Sequence, residues 1–255
     1  MNDIAKTPTS MNTRIVILAA GKGKRMNAEV PKVLLPLREK LIIQHLLESV
    51  RTANIDPKPV IVIGSGAELV RKNLGEEYEY VVQEEQLGTG HAVSVALDAL
   101  RGSDAAIVLY GDQPFISPDT ITRLAKTHRE KNPALTLMTT TVSDFEDWRH
   151  TLYDFGRIMR DEKGNIVRIV EKKDATEQEL RIKEVNPSFF CFGTQWLTVN
   201  IKKLTNTNKQ KEYYLTDLVG IAIEQGDAIA SLDVNPLETI GVNTKDHLEL
   251  AHSLD

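Results

Sequence analysis

Short runs of Val, Ile and Leu alternate with amphipathic segments through the first half of this 255-residue chain, and that alternation restricts the fold more than any other feature. The pattern predicts a strand near Arg14 to Leu18, a helix near Leu41 to Arg51 and a strand over Val60 to Ile63. A helix near Ala67 to Leu74, a strand over Tyr78 to Val82, a helix over Ala92 to Leu100, a strand over Ala105 to Tyr110 and a helix over Pro118 to Lys131 follow. Consecutive strands joined through helices must run parallel, so the expected class is α/β: a Rossmann-like, mostly parallel sheet flanked by helices. Ser117 suits the N-cap of the last of these helices and Pro118 its first turn. That leaves Gly111-Asp112-Gln113-Pro114 in a short loop at the carboxyl end of a central strand, the edge where open α/β sheets bind ligands.

After about Pro133 the texture changes to strands and turns: Leu135 to Val142, Arg157 to Arg160, Ile166 to Val170 and Val185 to Phe192, with a turn at Glu162-Lys163-Gly164-Asn165. A β-rich lobe that covers a substrate is the expectation. Helices return near Gln195 to Leu204 and Leu215 to Gln225, then a strand over Ala228 to Leu232 and a terminal helix over Thr244 to Ser253, capped by Asn243 or Thr244. Residues 1–13 are polar, contain Pro8 and read as a disordered tail. Residues 14–255 form one expected domain of two halves, 14–133 and 134–255, with no internal repeat.

The net charge of -5 gives no bulk attraction for nucleic acid. The single cysteine, Cys191, sits in an apolar run and excludes an intramolecular disulfide, which fits a reducing cytoplasm. The tail lacks the apolar core of a secretory signal, and no apolar run is long enough to span a bilayer. The six histidines, His45, His91, His128, His150, His247 and His252, show no metal-ligand spacing.

Against that acidic background, Leu18-Ala-Ala-Gly-Lys-Gly-Lys-Arg-Met26 places a glycine-rich, cationic loop at the end of the first strand. Gly21 and Gly23 let backbone N–H groups approach phosphate oxygens, and Lys22, Lys24, Arg25 and Lys32 add charge to a stretch almost free of acids. Phosphate chemistry is implied, and 14–133 becomes the nucleotide-binding half. Met26 stands where a dinucleotide fingerprint needs a third glycine, and the second strand ends in Gly64-Ser65-Gly66 rather than an acid. No Walker lysine or kinase catalytic set is present.

Further segments join this loop in order: Gln83-Glu-Glu-Gln-Leu-Gly-Thr-Gly-His91, Tyr110-Gly-Asp-Gln-Pro114, Phe155-Gly-Arg-Ile158, Ile169-Val-Glu-Lys-Lys-Asp174, Glu184-Val-Asn186, Glu212-Tyr-Tyr-Leu-Thr-Asp217 and Gly241-Val-Asn243. Together, from about Arg14 to Leu250, they resemble the N-acetylglucosamine-1-phosphate uridylyltransferase domains of the bacterial sugar-1-phosphate nucleotidyltransferase family. The resemblance implies the nucleotide-diphospho-sugar transferase type of fold, with 134–255 as the sugar-binding half. It also implies Mg²⁺-dependent conversion of UTP and an amino-sugar 1-phosphate into a UDP-sugar and pyrophosphate. A sugar phosphate is an ionised nucleophile at neutral pH, so such a reaction needs no Ser or Cys nucleophile and rests on alignment and charge stabilisation.

By the same resemblance, Asp112 and Asn243 hold Mg²⁺, and Lys24, Arg25 and Lys32 grip the phosphates. Leu18, Ala19, Ala20 and Gly21, with Gln83, Gly88 and Thr89, read the nucleotide. Tyr110, Gly111, Gly156, Glu171 and Asn186 meet the ribose or the sugar. Taken singly, Asp112 reads as a turn-capping aspartate, Asn243 as an N-cap, and His91 as the start of a helix.

The sugar side departs from the family pattern. Asp154-Phe155-Gly156-Arg157 replaces Gly-Tyr-Gly-Arg, and Asn186-Pro187-Ser188 replaces Asn-Thr-Gly. The chain also stops in what resembles the helix that links to a hexapeptide-repeat acetyltransferase domain, so no acetyl transfer is expected and the oligomeric state is open. The expected partners are UTP and N-acetylglucosamine 1-phosphate. The alternatives are another sugar 1-phosphate, a cytidylyl- or guanylyltransferase, or a non-catalytic nucleotide-sugar-binding regulatory domain.

Overall fold

The computed structural model describes residues 11–21, 23, 26 and 30–254. The predicted tail over 1–10 and the loop cations Lys22, Lys24 and Arg25 lie outside them. In chain order the first half runs β1 (Thr13–Leu18), β2 (Pro36–Leu37), β3 (Lys40–Leu41), α1 (Ile42–Ala53), β4 (Val60–Ile63) and α2 (Ala67–Leu74). It continues with β5 (Glu79–Val82), α3 (Thr89–Val95), β6 (Ala105–Tyr110) and α4 (Pro118–Lys131). The second half contains β7 (Leu135–Thr141), β8 (Gly156–Arg160), β9 (Ile166–Val170), β10 (Glu184–Asn186), β11 (Phe190–Gly193), α5 (Thr194–Asn200), α6 (Asp217–Gln225), β12 (Ile229–Asp233) and α7 (Lys245–Ser253).

Among the described residues ten strands form one sheet in the order β5-β4-β1-β6-β11-β7-β10-β8-β9, with β12 paired to β7. The first four are mutually parallel, as right-handed crossovers through α1, α2 and α3 require. β1 lies between β4 and β6 and is apolar on both faces. Ile15 and Ile17 enter a core shared with Ile43, Leu46, Ile121 and Leu124 of α1 and α4, while Val16 and Leu18 enter one shared with Val93, Leu197 and Leu218 of α3, α5 and α6. Each such buried aliphatic contributes roughly 1.5–3 kcal/mol. Cys191 packs in the first of these cores as a small apolar side chain, and burial raises its thiol pKa.

Turn chemistry sets the boundaries. Ser117 accepts the Thr120 N–H at 3.2 Å, Pro118 occupies the first turn of α4, and left-handed Asn132 ends it. Three expectations need correction. The strand predicted over Val185 to Phe192 is two strands: Pro187 offers no N–H, Ser188 is left-handed at φ 67°, and the chain bends so that β10 pairs with the end of β7 and with β8 while β11 pairs with its start and with β6. The helix predicted over Ala92 to Leu100 starts at Thr89 and ends at Val95, with a 3-10 turn over Leu97–Leu100; the one predicted over Gln195 to Leu204 ends at Asn200 before a 3-10 turn over Ile201–Lys203. The cap of α7 is Thr244, which accepts the His247 N–H at 3.2 Å and leaves the Asn243 side chain available elsewhere. Among the described residues no helix is long and apolar enough to cross a membrane.

Candidate active site

The carboxyl ends of β1 and β6 open into a cavity of about 1030 Å³ that residues of the second half also line. Leu18, Ala19, Ala20 and Gly21 line it as β1 runs out, anchored by Ala19 N–H to Val62 O at 2.8 Å and Gly111 N–H to Leu18 O at 2.9 Å. Gly23, left-handed at φ 56°, lies where a Cβ would sit 2.9 Å from the Lys32 Cβ, so the loop closes on the 3-10 turn over Lys32–Leu34 only because that position carries no side chain.

On the floor, Lys32 joins the two expected metal ligands. Its ammonium donates to Asp112 Oδ2 and, at 2.7 Å, to Asn243 Oδ1, with the Lys32 and Asp112 side chains largely buried. Asp112 and Asn243 therefore turn oxygens toward one common cation. Val242 N–H donates to Asp112 O at 2.8 Å, which docks the segment carrying Asn243 onto the end of β6. Gln113 completes the joint: its amide nitrogen donates to Thr239 O at 3.2 Å and Pro187 O at 3.0 Å, while its Oε1 is buried without a partner among the described residues. One carboxylate, one amide and a converging geometry suit a hard divalent ion that completes its shell with phosphate and water. Among the described residues no group of three or more His, Cys, Asp or Glu side chains could hold a metal ion.

Gln83, Gly88 and Thr89 line one wall. The Gln83 amide nitrogen donates to Gly88 O at 3.2 Å and meets His91 Nδ1 at 3.0 Å, so His91, the third residue of α3, orients Gln83. Gly88, at φ 113°, faces Tyr213 so closely that a Cβ would lie 2.6 Å from its carbonyl oxygen. The segment around Glu212 docks there: Gly90 N–H donates to Tyr213 O at 2.8 Å, and Leu215 N–H to the Thr89 hydroxyl at 3.0 Å.

Tyr110 and Glu171 line the cavity as well. Burial raises the Tyr110 hydroxyl pKa. Glu171 accepts from Thr216 Oγ1 at 2.8 Å; desolvation raises its pKa, the Thr216 bond opposes this, and Asp217 and Asp174 add to it. Gly111, Gly156 and Asn186 do not reach the cavity wall. Asn186 is buried beneath it with its amide turned to Ser188, and Gly156 packs where a Cβ would meet Ile169 and the Glu171 carboxylate. Asp154 and Lys172 meet at the rim at 2.5 Å. Behind them Arg157, fully buried, lies between the Phe145 and Tyr153 rings and donates to the carbonyls of Tyr153, Phe155 and Leu180.

Of the expected site residues within the described chain, the structure thus brings Leu18, Ala19, Ala20, Gly21, Lys32, Gln83, Gly88, Thr89, Tyr110, Asp112, Glu171 and Asn243 around one cavity. Sequence reasoning assigned no role to Gln86, Lys172, Lys173, Gln210, Glu212 and His247, which line it as well. Lys172, Lys173 and Glu212 stand inside motifs already singled out, but nothing in a motif says which way a side chain turns.

The chain belongs to the MobA-like NTP transferase domain family, whose model matches residues 15–162. It is 41% identical over 232 residues to the bifunctional protein GlmU of Clostridium acetobutylicum, covering 90% of this chain and 49% of that protein. It is 39% identical over 240 residues to that of Brevibacillus brevis, covering 93% and 50%. The chain spans about half the length of these curated relatives. A crystal structure from Bacillus anthracis, described as a glucose-1-phosphate thymidylyltransferase in complex with sucrose, superposes with a TM-score of 0.75 at 20% identity over 94% of each chain, a likeness of fold.

Proposed function

We propose that this chain is a sugar-1-phosphate uridylyltransferase that forms UDP-N-acetylglucosamine and pyrophosphate from UTP and N-acetylglucosamine 1-phosphate. The convergence of Asp112 and Asn243 on one cation, in a cavity that Leu18 to Gly21, Gln83, Thr89, Tyr110 and Glu171 also line, carries this reading. The GlmU relatives support it. A phosphate oxygen of the sugar phosphate attacks the α-phosphorus; that P–O bond forms as the bond to the β-phosphate bridging oxygen breaks, and no proton need move. The residues of the chain align and neutralise. Leu18 to Gly21, Gln83, Gly88 and Thr89 hold the nucleoside, Lys24 and Arg25 grip the departing pyrophosphate, and Tyr110 and Glu171 hold the acceptor, with Gly111, Gly156 and Asn186 shaping its bed.

Asp112 and Asn243 would hold Mg²⁺, which when bound supplies positive charge to phosphate oxygens of both reactants. Lys32, whose ammonium meets the same two oxygens, would then offer its charge to the phosphates. Pyrophosphate release measured for UTP, CTP, GTP and dTTP against a panel of sugar 1-phosphates tests the reading, with UTP and N-acetylglucosamine 1-phosphate expected to be fastest. A preference for another base overturns the uracil assignment. A different hexose at the top of the panel establishes the second reading, which the departures at Asp154 and Pro187-Ser188 favour. Binding of UDP-sugars without release of pyrophosphate leaves only a binding domain.

A further inference from the structure

Asn243 stands on a stretch with little structure of its own. Between the 3-10 turn over Pro236–Thr239 and α7 the chain forms neither helix nor strand, so bonds from neighbouring segments must place it. Gln113, 5% exposed and adjacent in sequence to Asp112, gives one amide hydrogen to Thr239 O at 3.2 Å and the other to Pro187 O, in the turn between β10 and β11, at 3.0 Å. Val242 N–H returns to Asp112 O at 2.8 Å, which closes a ring from residues 112–113 to residues 239–242. Gly241 lies within that ring: an added Cβ there would sit 3.5 Å from Gln113 Cγ and 3.3 Å from Asn243 Nδ2, so the glutamine stem and the asparagine amide both flank it. Gln113 Oε1 is buried without a partner among the described residues, a cost that an apolar side chain would not carry. Stability alone is therefore a poor account of a glutamine at this place.

We propose that Gln113 is a positioning residue for the divalent-ion pair: by holding the Thr239–Val242 segment to the loop that carries Asp112, it sets how closely the Asn243 and Asp112 oxygens approach one ion. The inference rests on the ion assignment made above. Both oxygens already meet the Lys32 ammonium, Asn243 Oδ1 at 2.7 Å, and that spacing is what the ring preserves. A small hard ion tolerates little error in ligand placement, and hydrogen bonds that aim a ligand typically change metal affinity by about 10- to 100-fold. The bond to Pro187 O fixes the far side of the same amide, so the glutamine cannot turn away from Thr239 without losing both partners. Gln113 acts through Asn243 rather than on the ion itself.

Mn²⁺ binding to the full chain without nucleotide, read by paramagnetic resonance of the free ion, tests the proposal. Gln113→Met keeps the length of the side chain and removes both donors; its Mn²⁺ affinity falls by about tenfold, while the affinity for UDP stays within about twofold. Gln113→Asn keeps the amide but is one methylene too short to reach both carbonyls, so it loses about threefold and stands in if Gln113→Met does not fold. Leu124→Ala, which opens the core under α4 and lowers the melting temperature, leaves Mn²⁺ affinity within about twofold, so lost stability by itself does not mimic the effect. In an Asn243→Ala background Gln113→Met costs less than about twofold further, because both changes undo the placement of one ligand. Unchanged Mn²⁺ affinity in the Gln113 variant that folds, an equal loss in Leu124→Ala, additive effects with Asn243→Ala, or a parent chain that binds no Mn²⁺ overturns the proposal. A lowered affinity in a chain that releases no pyrophosphate sinks uridylyl transfer and leaves Gln113 standing; pyrophosphate release with an unchanged Mn²⁺ affinity does the reverse.

Discussion

The two sides of the cavity are built on different physical principles. The proposed nucleotide side rests on β1, β4 and β6, whose apolar residues are buried on both faces of the sheet, and Ala19, Ala20 and Gly21 line the cavity where β1 ends. The proposed sugar side rests on short antiparallel strands over a small apolar cluster of Val142, Leu152 and Val185, and polar devices supply its order: the enclosed Arg157 and the Asp144–Arg149, Asp154–Lys172 and Arg160–Glu184 pairs. Where apolar area is plentiful a site is positioned by packing; where it is scarce, directional bonds do the positioning and each one matters more.

Asp112 serves both sides, so its loss has the largest effect. Asp112→Ala reduces pyrophosphate release by about 10³-fold, about 4 kcal/mol of transition-state stabilisation, with UDP binding kept. Lys32→Met separates the roles on the floor: turnover falls, yet Mn²⁺ titrated in the absence of nucleotide binds more tightly, by about tenfold, since an ammonium no longer competes for the two oxygens. Paramagnetic resonance of free Mn²⁺ reads the second effect, and unchanged affinity means that Lys32 and the ion do not compete.

Arg157→Met tests the contrast directly. The change orphans the carbonyls of Tyr153 and Phe155 and removes a guanidinium lying 4.8 Å and 4.9 Å from two ring centroids. Urea unfolding registers a loss of about 2–4 kcal/mol. Hydrogen exchange quickens over 142–185 while β1, β4 and β6 keep their protection, and KM rises for the sugar phosphate but not for UTP. Equal loss of protection on both sides would erase the distinction.

At the seam between the halves, His128 of α4 is buried against β7 with Nδ1 3.0 Å from Thr136 Oγ1, and burial lowers its pKa to about 4. Its ordinary value is 6.5, so between those limits the unfolded chain binds a proton that the folded chain refuses. The stability that neutral His128 contributes is present above pH 6.5 and is lost as pH falls toward about 4. His128→Gln flattens that part of the pH profile of urea stability; an unaltered slope means that His128 takes up its proton while folded.

Much of the parallel half was legible in the sequence because its signals are local. β4, β6, α2 and α4 begin and end where apolar and amphipathic runs and Ser117-Pro118 indicate. The break between β10 and β11 was not, because Val185 to Phe192 is an apolar run interrupted by a bend whose geometry depends on Asn186 and Gln113. The convergence of Asp112 and Asn243 followed from family resemblance alone, since each taken singly resembles a cap. That Lys32 stands between them is a fact of side-chain direction that no spacing encodes.

The smallest effect belongs to the rim. Asp154 and Lys172 meet at 2.5 Å, and the Lys172 ammonium also lies 4.6 Å from the Tyr153 ring centroid, but their side chains remain 49% and 36% exposed. A pair so wetted contributes about 0.5 kcal/mol or less and is screened by salt. Lys172→Met therefore leaves the melting temperature nearly unchanged. What it alters is charge: Asp154, no longer neutralised, faces an incoming phosphorylated sugar, so KM for the sugar phosphate rises about two- to threefold at low ionic strength and returns toward the parent value in about 0.3 M salt, while KM for UTP holds. A KM increase of the same size at every salt concentration would mean that Lys172 touches the substrate, and the rim would then belong to the binding surface rather than to its scaffold.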